Sequence, residues 1–364
     1  MNAATEKQQL AELTLSLVNI PSESRDERRL AEHIGHTMEP LGLIERYRTS
    51  DYLLYTTERD TTLPLIVVAG HLDTVPAQAN RPGAIDGSDV VGLGAADMKG
   101  GLSVMIQLAY WIARERPARA LDVAFLFFAR EELPVAESPL PELFELEPSL
   151  TSADLAIVLE PTDNAIQTGC LGNLNATLRF HGEAAHSARP WTGKNAIEVA
   201  TQQLPALLAR EREEIVIDGL SFYEVVSVTQ ISGGVADNVI PDLVECRVNY
   251  RFAPNRTVDA ALERVVQLLG EDADVEISSI SSGAPVASEN VLVRRLESIV
   301  GRPLEPKQAW TPVAQFTDAG LPAINFGPGD PIYAHRRDER VAIASLHECL
   351  QSLKALVAAP QNRG

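Results

Sequence analysis

The stretch that decides the fold reads Leu65-Ile66-Val67-Val68-Ala69-Gly70-His71-Leu72-Asp73-Thr74-Val75-Pro76. Its first six residues form a continuous apolar run, which is typical of a strand covered on both faces. The run breaks at Gly70 and leads to His71 and Asp73. In an open α/β sheet, ligands bind beyond the carboxyl ends of the strands. The segment therefore predicts chemistry at the end of a central strand.

Two further apolar runs also lead into acidic side chains. Residues 121–129 precede the pair Glu131-Glu132, and residues 155–159 precede Glu160. Adjacent acids after a strand are often only a solvated loop. In an active site, however, such a pair can divide its work between binding a metal and acting as general base for its water. We expect these strand ends to converge with the end of the first strand.

Asp97 lies in a glycine-rich segment, residues 92–101, which is followed by an apolar helical stretch. Taken alone, such an aspartate is more often the N-cap of the helix than a ligand, although the glycines allow close backbone approach. His335 follows a second glycine-rich loop, residues 327–330. Two histidines and three carboxylates together suit a two-zinc site with open positions for water and substrate.

The chain length of 364 residues indicates two domains or more. From about residue 173 the pattern changes to alternating apolar and polar residues, and a β-α-β-β-α-β order follows. We expect a catalytic α/β domain formed by residues 1–172 and 285–364. Residues 173–284 are predicted to form an inserted α+β dimerisation or lid domain through which two copies of the chain pair.

Composition limits the partners. Asp and Glu number 50 against 31 Lys and Arg, a formal net charge of −19, which disfavours nucleic acid and anionic membranes. A few local arginines can still form a site for a small anionic substrate. The N-terminus does not have the pattern of a signal peptide, and no apolar run approaches the roughly 18 residues that span a bilayer. The three cysteines are far apart. We expect a cytoplasmic protein.

Nearly the whole chain resembles the co-catalytic di-zinc amidohydrolases, a family of aminoacylases, deacetylases and carboxypeptidases. The motifs that carry the resemblance are H-L-D-T-V-P at 71–76, G-A-A-D-M-K-G-G at 94–101, E-E at 131–132, L-E-P-T at 159–162, H-S-A-R-P at 186–190, N-V-I-P at 238–241, N-Y-R-F-A-P at 249–254 and F-G-P-G-D-P-I-Y-A-H at 326–335.

The resemblance implies a zinc-peptidase-like three-layer catalytic domain with an inserted dimerisation domain, two Zn²⁺ per chain with Co²⁺ as a substitute, and a homodimer. The implied metal ligands are Asp97 as the bridge, His71 and Glu160 at one metal, and Glu132 and His335 at the other. The implied catalytic residues are Glu131 as general base, Asp73 as the orienter of His71, and His186 as an oxyanion stabiliser from the partner subunit. The implied substrate-contacting residues are Arg179, Asn238 and Arg251.

Within that family the motifs are most similar to the actinobacterial-type succinyl-diaminopimelate desuccinylase branch. The implied reaction is zinc-dependent hydrolysis of N-succinyl-LL-2,6-diaminopimelate to succinate and LL-2,6-diaminopimelate, a step of lysine biosynthesis. The alternatives are an N-acetylornithine deacetylase or a related aminoacylase or carboxypeptidase. A non-catalytic binding protein is disfavoured because no implied ligand is missing. Two departures from the branch, Pro312 and Arg130, bear on substrate choice.

Overall fold

The computed structural model describes residues 2–269 and 273–359. The chain divides into two compact units. The first comprises Met1–Thr168, Ala287–Glu305 and Gln315–Gly364, and the second comprises Gly169–Val286 and Pro306–Ala314. Within the described part of the chain, no helix is both long enough and apolar enough to cross a membrane.

The helices are α1 (Ala3–Val18), α2 (Arg28–Met38), α3 (Gly100–Glu115), α4 (Leu140–Leu146), α5 (Ala196–Leu208), α6 (Val258–Leu269), α7 (Val291–Val300), α8 (Val313–Asp318) and α9 (Ile343–Val357). The strands are β1 (Ile44–Arg48), β2 (Tyr52–Thr56), β3 (Leu65–His71), β4 (Ala84–Asp86), β5 (Asp89–Val91), β6 (Asp122–Phe128), β7 (Leu155–Val158), β8 (Gln167–Cys170), β9 (Gly172–His181), β10 (Ala185–His186), β11 (Glu213–Ile217), β12 (Leu220–Gly233), β13 (Val239–Ile240), β14 (Leu243–Phe252), β15 (Asp274–Ser281), β16 (Glu305–Lys307), β17 (Ala323–Asn325) and β18 (Arg340–Ala342).

The first unit is built on a mixed sheet in which β3 lies between β6 and β7, and the order is β1-β2-β6-β3-β7-β17-β8-β16. β3 is parallel to both neighbours, with His71 level with Phe128 and Ala69 level with Val158. All seven residues of β3 are buried, as a continuous apolar run requires. Apolar residues of α1, α3 and α9 share one large core cluster with this sheet. The predicted α/β fold is confirmed.

The second unit contains a five-stranded antiparallel sheet in the order β11-β12-β14-β9-β15. Along β9, buried and partly exposed residues alternate strictly, which is why its apolar–polar pattern indicated a sheet with one solvated face. The apolar side chains of α5 and α6 share a core cluster with those of β9 and β14. The predicted β-α-β-β-α-β order is present, with β11 as an additional edge strand.

Two local predictions are wrong. The four prolines and the lack of a steady period in residues 133–150 predict a loop with one helical turn, but this segment contains a 3₁₀ turn, Val135–Glu137, and the two-turn helix α4. The ring of Phe144 on α4 packs edge-on against Phe316, with centroids 5.3 Å apart. This contact stabilises a helix in a proline-rich segment. The polar residues 24–26 also predict a cap for α2, but Glu27 occupies the N-cap and makes no side-chain capping bond.

Candidate active site

Three neighbouring parallel strands deliver side chains to one edge of the sheet. His71 is the last residue of β3, the pair Glu131-Glu132 follows β6, and Glu160 follows β7. Because β6 and β7 flank β3 in parallel register, their carboxyl ends meet on both sides of His71. Strand order alone therefore brings one imidazole and three carboxylates together, as the sequence predicts.

Asp97 reaches the same place by another route. It lies in an irregular helical turn, Ala95–Lys99, between β5 and α3, and the peptide bond that follows it is cis. The alternative interpretation of Asp97 as a helix cap is wrong, because α3 begins at Gly100 and its N-cap is Lys99. The carboxylate is instead directed at the histidines of the site.

The two oxygens of Asp97 are divided between two histidines. Oδ1 lies 3.0 Å from His71 Nε2, and Oδ2 lies 3.3 Å from His335 Nε2. On the first side, Glu160 Oε1 is 3.8 Å from His71 Nε2. On the second side, Glu132 Oε1 is 2.9 Å from His335 Nε2. The donors thus form two half-sites that share one carboxylate.

This donor set fits metal ions by its charge as well as its geometry. The groups His71, Asp97, Glu132 and His71, Glu131, Glu160 each present ligand atoms within 4.8 Å of one another. Four carboxylates against two imidazoles leave an excess of negative charge in a largely buried place, which is costly without cations. Mixed nitrogen and oxygen donors suit zinc and similar divalent metals.

The ionisation of the two histidines reflects the same negative field. Burial by itself would lower the pKa of His71, but the surrounding carboxylates of Asp73, Asp97 and Glu160 outweigh it and raise the pKa well above its usual value. Hydrogen bonds to Asp97 and Glu132 raise the pKa of His335 to about 11. Conversely, although burial opposes the shift, both histidines hold the pKa of Asp97 below its usual range.

The pKa of Glu131 is shifted in the opposite direction from that of Asp97. Burial, together with the charges of Glu160, Glu132 and Asp97, raises the pKa of Glu131 well above the usual value of a glutamate. A carboxylate whose pKa is raised is a stronger proton acceptor, which is the property that a general base requires. Glu132, by contrast, is within hydrogen-bonding distance of the ligand His335.

Asp73 holds the site together through its carboxylate and its backbone. Its carboxylate accepts the N–H groups of Glu131 and Glu132, at 2.9 and 3.0 Å, and the hydroxyl of Ser24, at 2.8 Å. His71 Nδ1 donates to the backbone carbonyl of Asp73 at 3.0 Å, whereas the carboxylate is 3.6 Å away. Because a carbonyl can only accept, Nδ1 keeps its proton, and Nε2, which faces Asp97 and Glu160, is the nitrogen that would bind a metal in exchange for its own proton.

Sequence reasoning missed the roles of Glu339, which carries no local motif signal, and of Lys99, which lies within the 94–101 motif. The carboxylate of Glu339 is 1% exposed and accepts the backbone N–H groups of Ala96, at 3.1 Å, and Asp97, at 3.0 Å. Burial, and in addition the charge of Asp97, raises the pKa of Glu339 to about 7. Lys99 is also buried and donates to the carbonyl of Ile20 at 2.7 Å. Both residues fix the turn that carries Asp97.

His186 and Asn238 belong to the second unit, where both are exposed. His186 lies on β10, which pairs with β13, and the carbonyl of Asn238 accepts the N–H of Ser187 at 2.9 Å. The Nδ1 atom of His186 accepts the N–H of Ala188 at 3.0 Å. The proton of a neutral imidazole therefore lies on Nε2, which points a donor away from the backbone.

The two arginines that the family resemblance implies as substrate contacts differ in their surroundings. Arg179 already pairs with Glu245, at 2.7 Å, and with Glu276. Arg251 is half-buried and donates from Nε to Asn249 Oδ1 at 3.1 Å, and within residues 2–269 and 273–359 no ion pair to a carboxylate is seen for it. Burial lowers the pKa of Arg251. Of these two arginines, Arg251 is therefore the one whose charge is not balanced by a carboxylate among the described residues.

Comparison with known proteins agrees with the division of the chain into two units. Residues 53–173 match the model of peptidase family M28, and residues 168–275 match that of the peptidase dimerisation domain of M20 enzymes. A Mycobacterium tuberculosis protein named as a succinyl-diaminopimelate desuccinylase is 37% identical over 94% of this chain and 96% of its own. A Corynebacterium glutamicum succinyl-diaminopimelate desuccinylase is 34% identical, with 94% of each chain covered.

A solved structure shares the fold. The Bacillus subtilis protein described as a dinuclear metal-binding peptidase of the M20 family superimposes with a TM-score of 0.72 over 97% of this chain and 98% of its own, at 16% identity. At that identity the likeness concerns the fold alone.

Proposed function

Because the chain belongs to the M20 peptidase family, which includes the succinyl-diaminopimelate desuccinylases, we propose that it hydrolyses N-succinyl-LL-2,6-diaminopimelate at a two-metal site. The products are succinate and LL-2,6-diaminopimelate. The observation that carries the proposal is the position of Asp97, whose two carboxylate oxygens each face a different histidine. A single-metal site would not need this division.

The metal ligands we propose are His71, Asp97, Glu132, Glu160 and His335. Zn²⁺ fits these nitrogen and oxygen donors, and Co²⁺ would substitute for it. When bound, a pair of such ions lowers the pKa of a shared water and polarises the amide carbonyl of the substrate.

The remaining chemistry falls to the protein. Glu131 accepts the proton of the attacking water on its carboxylate and returns it to the nitrogen of the leaving amine. The Asp73 carboxylate keeps the backbone of Glu131 in place. His186 of the partner subunit donates a hydrogen bond from its Nε2–H to the developing oxyanion. One such donor stabilises the transition state by about 3 kcal/mol.

The substrate carries three carboxylates, so its site needs cations within a chain whose net charge is −19. Arg251 is the arginine that we assign to the succinyl carboxylate, since the planar guanidinium fork matches a carboxylate in a bidentate manner. Asn238 supplies a further polar contact. Arg179 remains a prediction from the family resemblance alone, because its guanidinium is engaged with Glu245 and Glu276.

We also propose a cytoplasmic homodimer formed through the second unit. Strand β11 pairs with β12 only along residues 220–224. Beyond that point, the outer edge of β12 has no strand paired to it in the described parts of the chain. Exposed residues dominate this part of β12, and Ile231 on it is 61% exposed. An unpaired edge of this kind is a ready template for pairing with another chain.

The test of the proposed reaction is product analysis. Zinc-loaded protein should release succinate and LL-2,6-diaminopimelate in equal amounts from N-succinyl-LL-2,6-diaminopimelate, and a chelator should abolish the release while about two metal ions leave each chain. Turnover that persists in chelator, with no metal detected by elemental analysis, would exclude the two-metal reaction.

A further inference from the structure

Arg130 occupies a strained position directly before the general base and the ligand Glu132. Its φ angle is +60°, in the left-handed region that non-glycine residues rarely adopt. Such conformations persist only where the surrounding structure enforces them. The contacts that enforce this one are visible.

Each guanidinium nitrogen of Arg130 donates a hydrogen bond within the protein. Nη1 and Nη2 donate to the two carboxylate oxygens of Asp51, each at 3.0 Å, and Nε donates to the carbonyl of Glu137 at 2.8 Å. The backbone N–H of Arg130 donates to the buried carboxylate of Glu27 at 3.2 Å. Asp51 holds the same loop a second time, because its carbonyl accepts the N–H of Ala129 at 2.9 Å.

The next two residues are held from the other side. The N–H groups of Glu131 and Glu132 both donate to the Asp73 carboxylate. Four successive backbone N–H groups, from residue 129 to residue 132, are therefore fixed by Asp51, Glu27 and Asp73. The positions of the Glu131 and Glu132 side chains follow from this arrangement.

We propose that Arg130 is a positioning residue for Glu131, acting through its bidentate ion pair with Asp51, an inference that rests on the proposed function. The sequence suggested that Arg130 bears on substrate choice. That interpretation is replaced, because each of the three guanidinium nitrogens already donates to Asp51 or Glu137, and the Asp51 carboxylate balances the charge of Arg130. Arg130 acts on the rate of the chemical step and not on the choice of acyl group.

The experiment compares Arg130→Ala and Asp51→Ala with wild type, using saturating metal and whichever N-acyl substrate the wild type cleaves best. A displacement of about 1 Å in a catalytic group can cost on the order of 100-fold in rate. We expect kcat to fall by about 10- to 100-fold in each variant, with KM changed by less than about threefold and metal content unchanged. The double variant should be no slower than the slower single variant, because both remove the same ion pair.

A control ion pair is available in Arg46, whose Nε and Nη2 both donate to Glu147 Oε2, at 3.1 and 2.8 Å, outside the ligand-bearing loops. Arg46→Ala should leave kcat unchanged, and Arg130→Lys should recover part of the rate by keeping one bond to Asp51. Should Arg130→Ala fail to fold, Asp51→Asn gives the same comparison.

Two results would overturn the inference. One is an unchanged kcat in Arg130→Ala. The other is a raised KM with kcat intact, which would make Arg130 a substrate contact. A wild-type protein inactive on every N-acyl substrate would instead defeat the proposed function, so the two failures are distinguishable.

Discussion

The carboxylate of Glu339 accepts the backbone N–H of Asp97 at 3.0 Å and is almost completely buried. Glu339 lies four residues after His335, so the segment that carries one ligand also holds the turn that carries another. The backbone N–H of Gly92 donates to the carbonyl of Glu339 at 3.0 Å and strengthens the same link. Glu339, which is not one of the proposed ligands, thus links the segments that carry Asp97 and His335.

The first prediction is that Glu339→Ala weakens metal binding. Removing a group that orients a ligand typically costs 10- to 100-fold in metal affinity, and we expect a loss of about that size in competition titrations with a chromophoric chelator. Glu339→Gln keeps one acceptor oxygen and should lose less. Metal affinity equal to that of wild type, in a variant that unfolds at the wild-type temperature, would show that Asp97 does not need this support.

The second prediction separates the two adjacent glutamates. Glu131→Gln should keep about two metals per chain and lower kcat by several orders of magnitude, because the group that accepts the proton of water is gone. Glu132→Gln, its matched partner, should bind fewer metals. Elemental analysis of both variants alongside kcat is the measurement, and metal loss from Glu131→Gln with full loading of Glu132→Gln would reverse the roles.

Much of this architecture can be predicted from the sequence because buried strands have a recognisable pattern of apolar residues. β3, β6 and β7 are covered on both faces, so their sequences are continuous apolar runs that can be recognised without an alignment. This pattern does not predict helix α4 or the hairpin formed by β1 and β2. β1 is mostly exposed and rich in charge, and α4 depends on a contact between Phe144 and a residue far along the chain.

The site shows the same division. The convergence of the candidate ligands that follow strands could be predicted from the sequence, because strand ends meet by topology. The residues that hold those ligands could not: Ser24, Glu27 and Glu339 come from distant segments, and nothing in their local sequence distinguishes them from ordinary surface residues. Only the folded chain shows that Ser24 donates to the Asp73 carboxylate, and that Glu27 and Glu339 accept the backbone N–H groups of Arg130 and Asp97.

The third prediction concerns the pH dependence of the second unit. Glu224 is 4% exposed and accepts hydrogen bonds from Arg256 Nε and Nη2, at 2.8 and 2.9 Å, and from the Tyr250 hydroxyl at 2.8 Å. Burial by itself would raise the pKa of Glu224, but these bonds, together with that from the Ala253 N–H, outweigh it and hold the pKa below its usual value.

Because the folded-state pKa is depressed, the contribution of Glu224 to stability is complete above the unfolded-state pKa of about 4.3 and is lost as the pH falls through the lower folded-state pKa. In metal-free protein, Glu224→Gln should lose about 1–3 kcal/mol near pH 7, and its deficit in unfolding temperature should shrink below about pH 4. The exposed Glu276→Gln serves as control. A deficit that is constant across this pH range would contradict the assignment.

The fourth prediction tests completion of the active site by the partner subunit. Glu131→Gln and His186→Ala should each be nearly inactive alone. After subunit exchange at equal concentrations, chains pair at random in a symmetric dimer, and about one quarter of all sites then contain both an intact Glu131 and an intact His186. About a quarter of wild-type activity should therefore return. No recovery after exchange, verified with differently tagged chains, would mean that His186 acts within its own chain or not at all.

The central claim, that this two-metal site acts on N-succinyl-LL-2,6-diaminopimelate, is tested most directly by the ratio of kcat/KM for that substrate to kcat/KM for N-acetylornithine. An N-acetyl group would leave Arg251 buried without its carboxylate, at a cost of about 1–3 kcal/mol. We predict a ratio of at least about tenfold in zinc-loaded wild-type protein, falling towards one in Arg251→Ala with metal content unchanged. A wild-type ratio below one would contradict the desuccinylase assignment and favour an N-acetylornithine deacetylase.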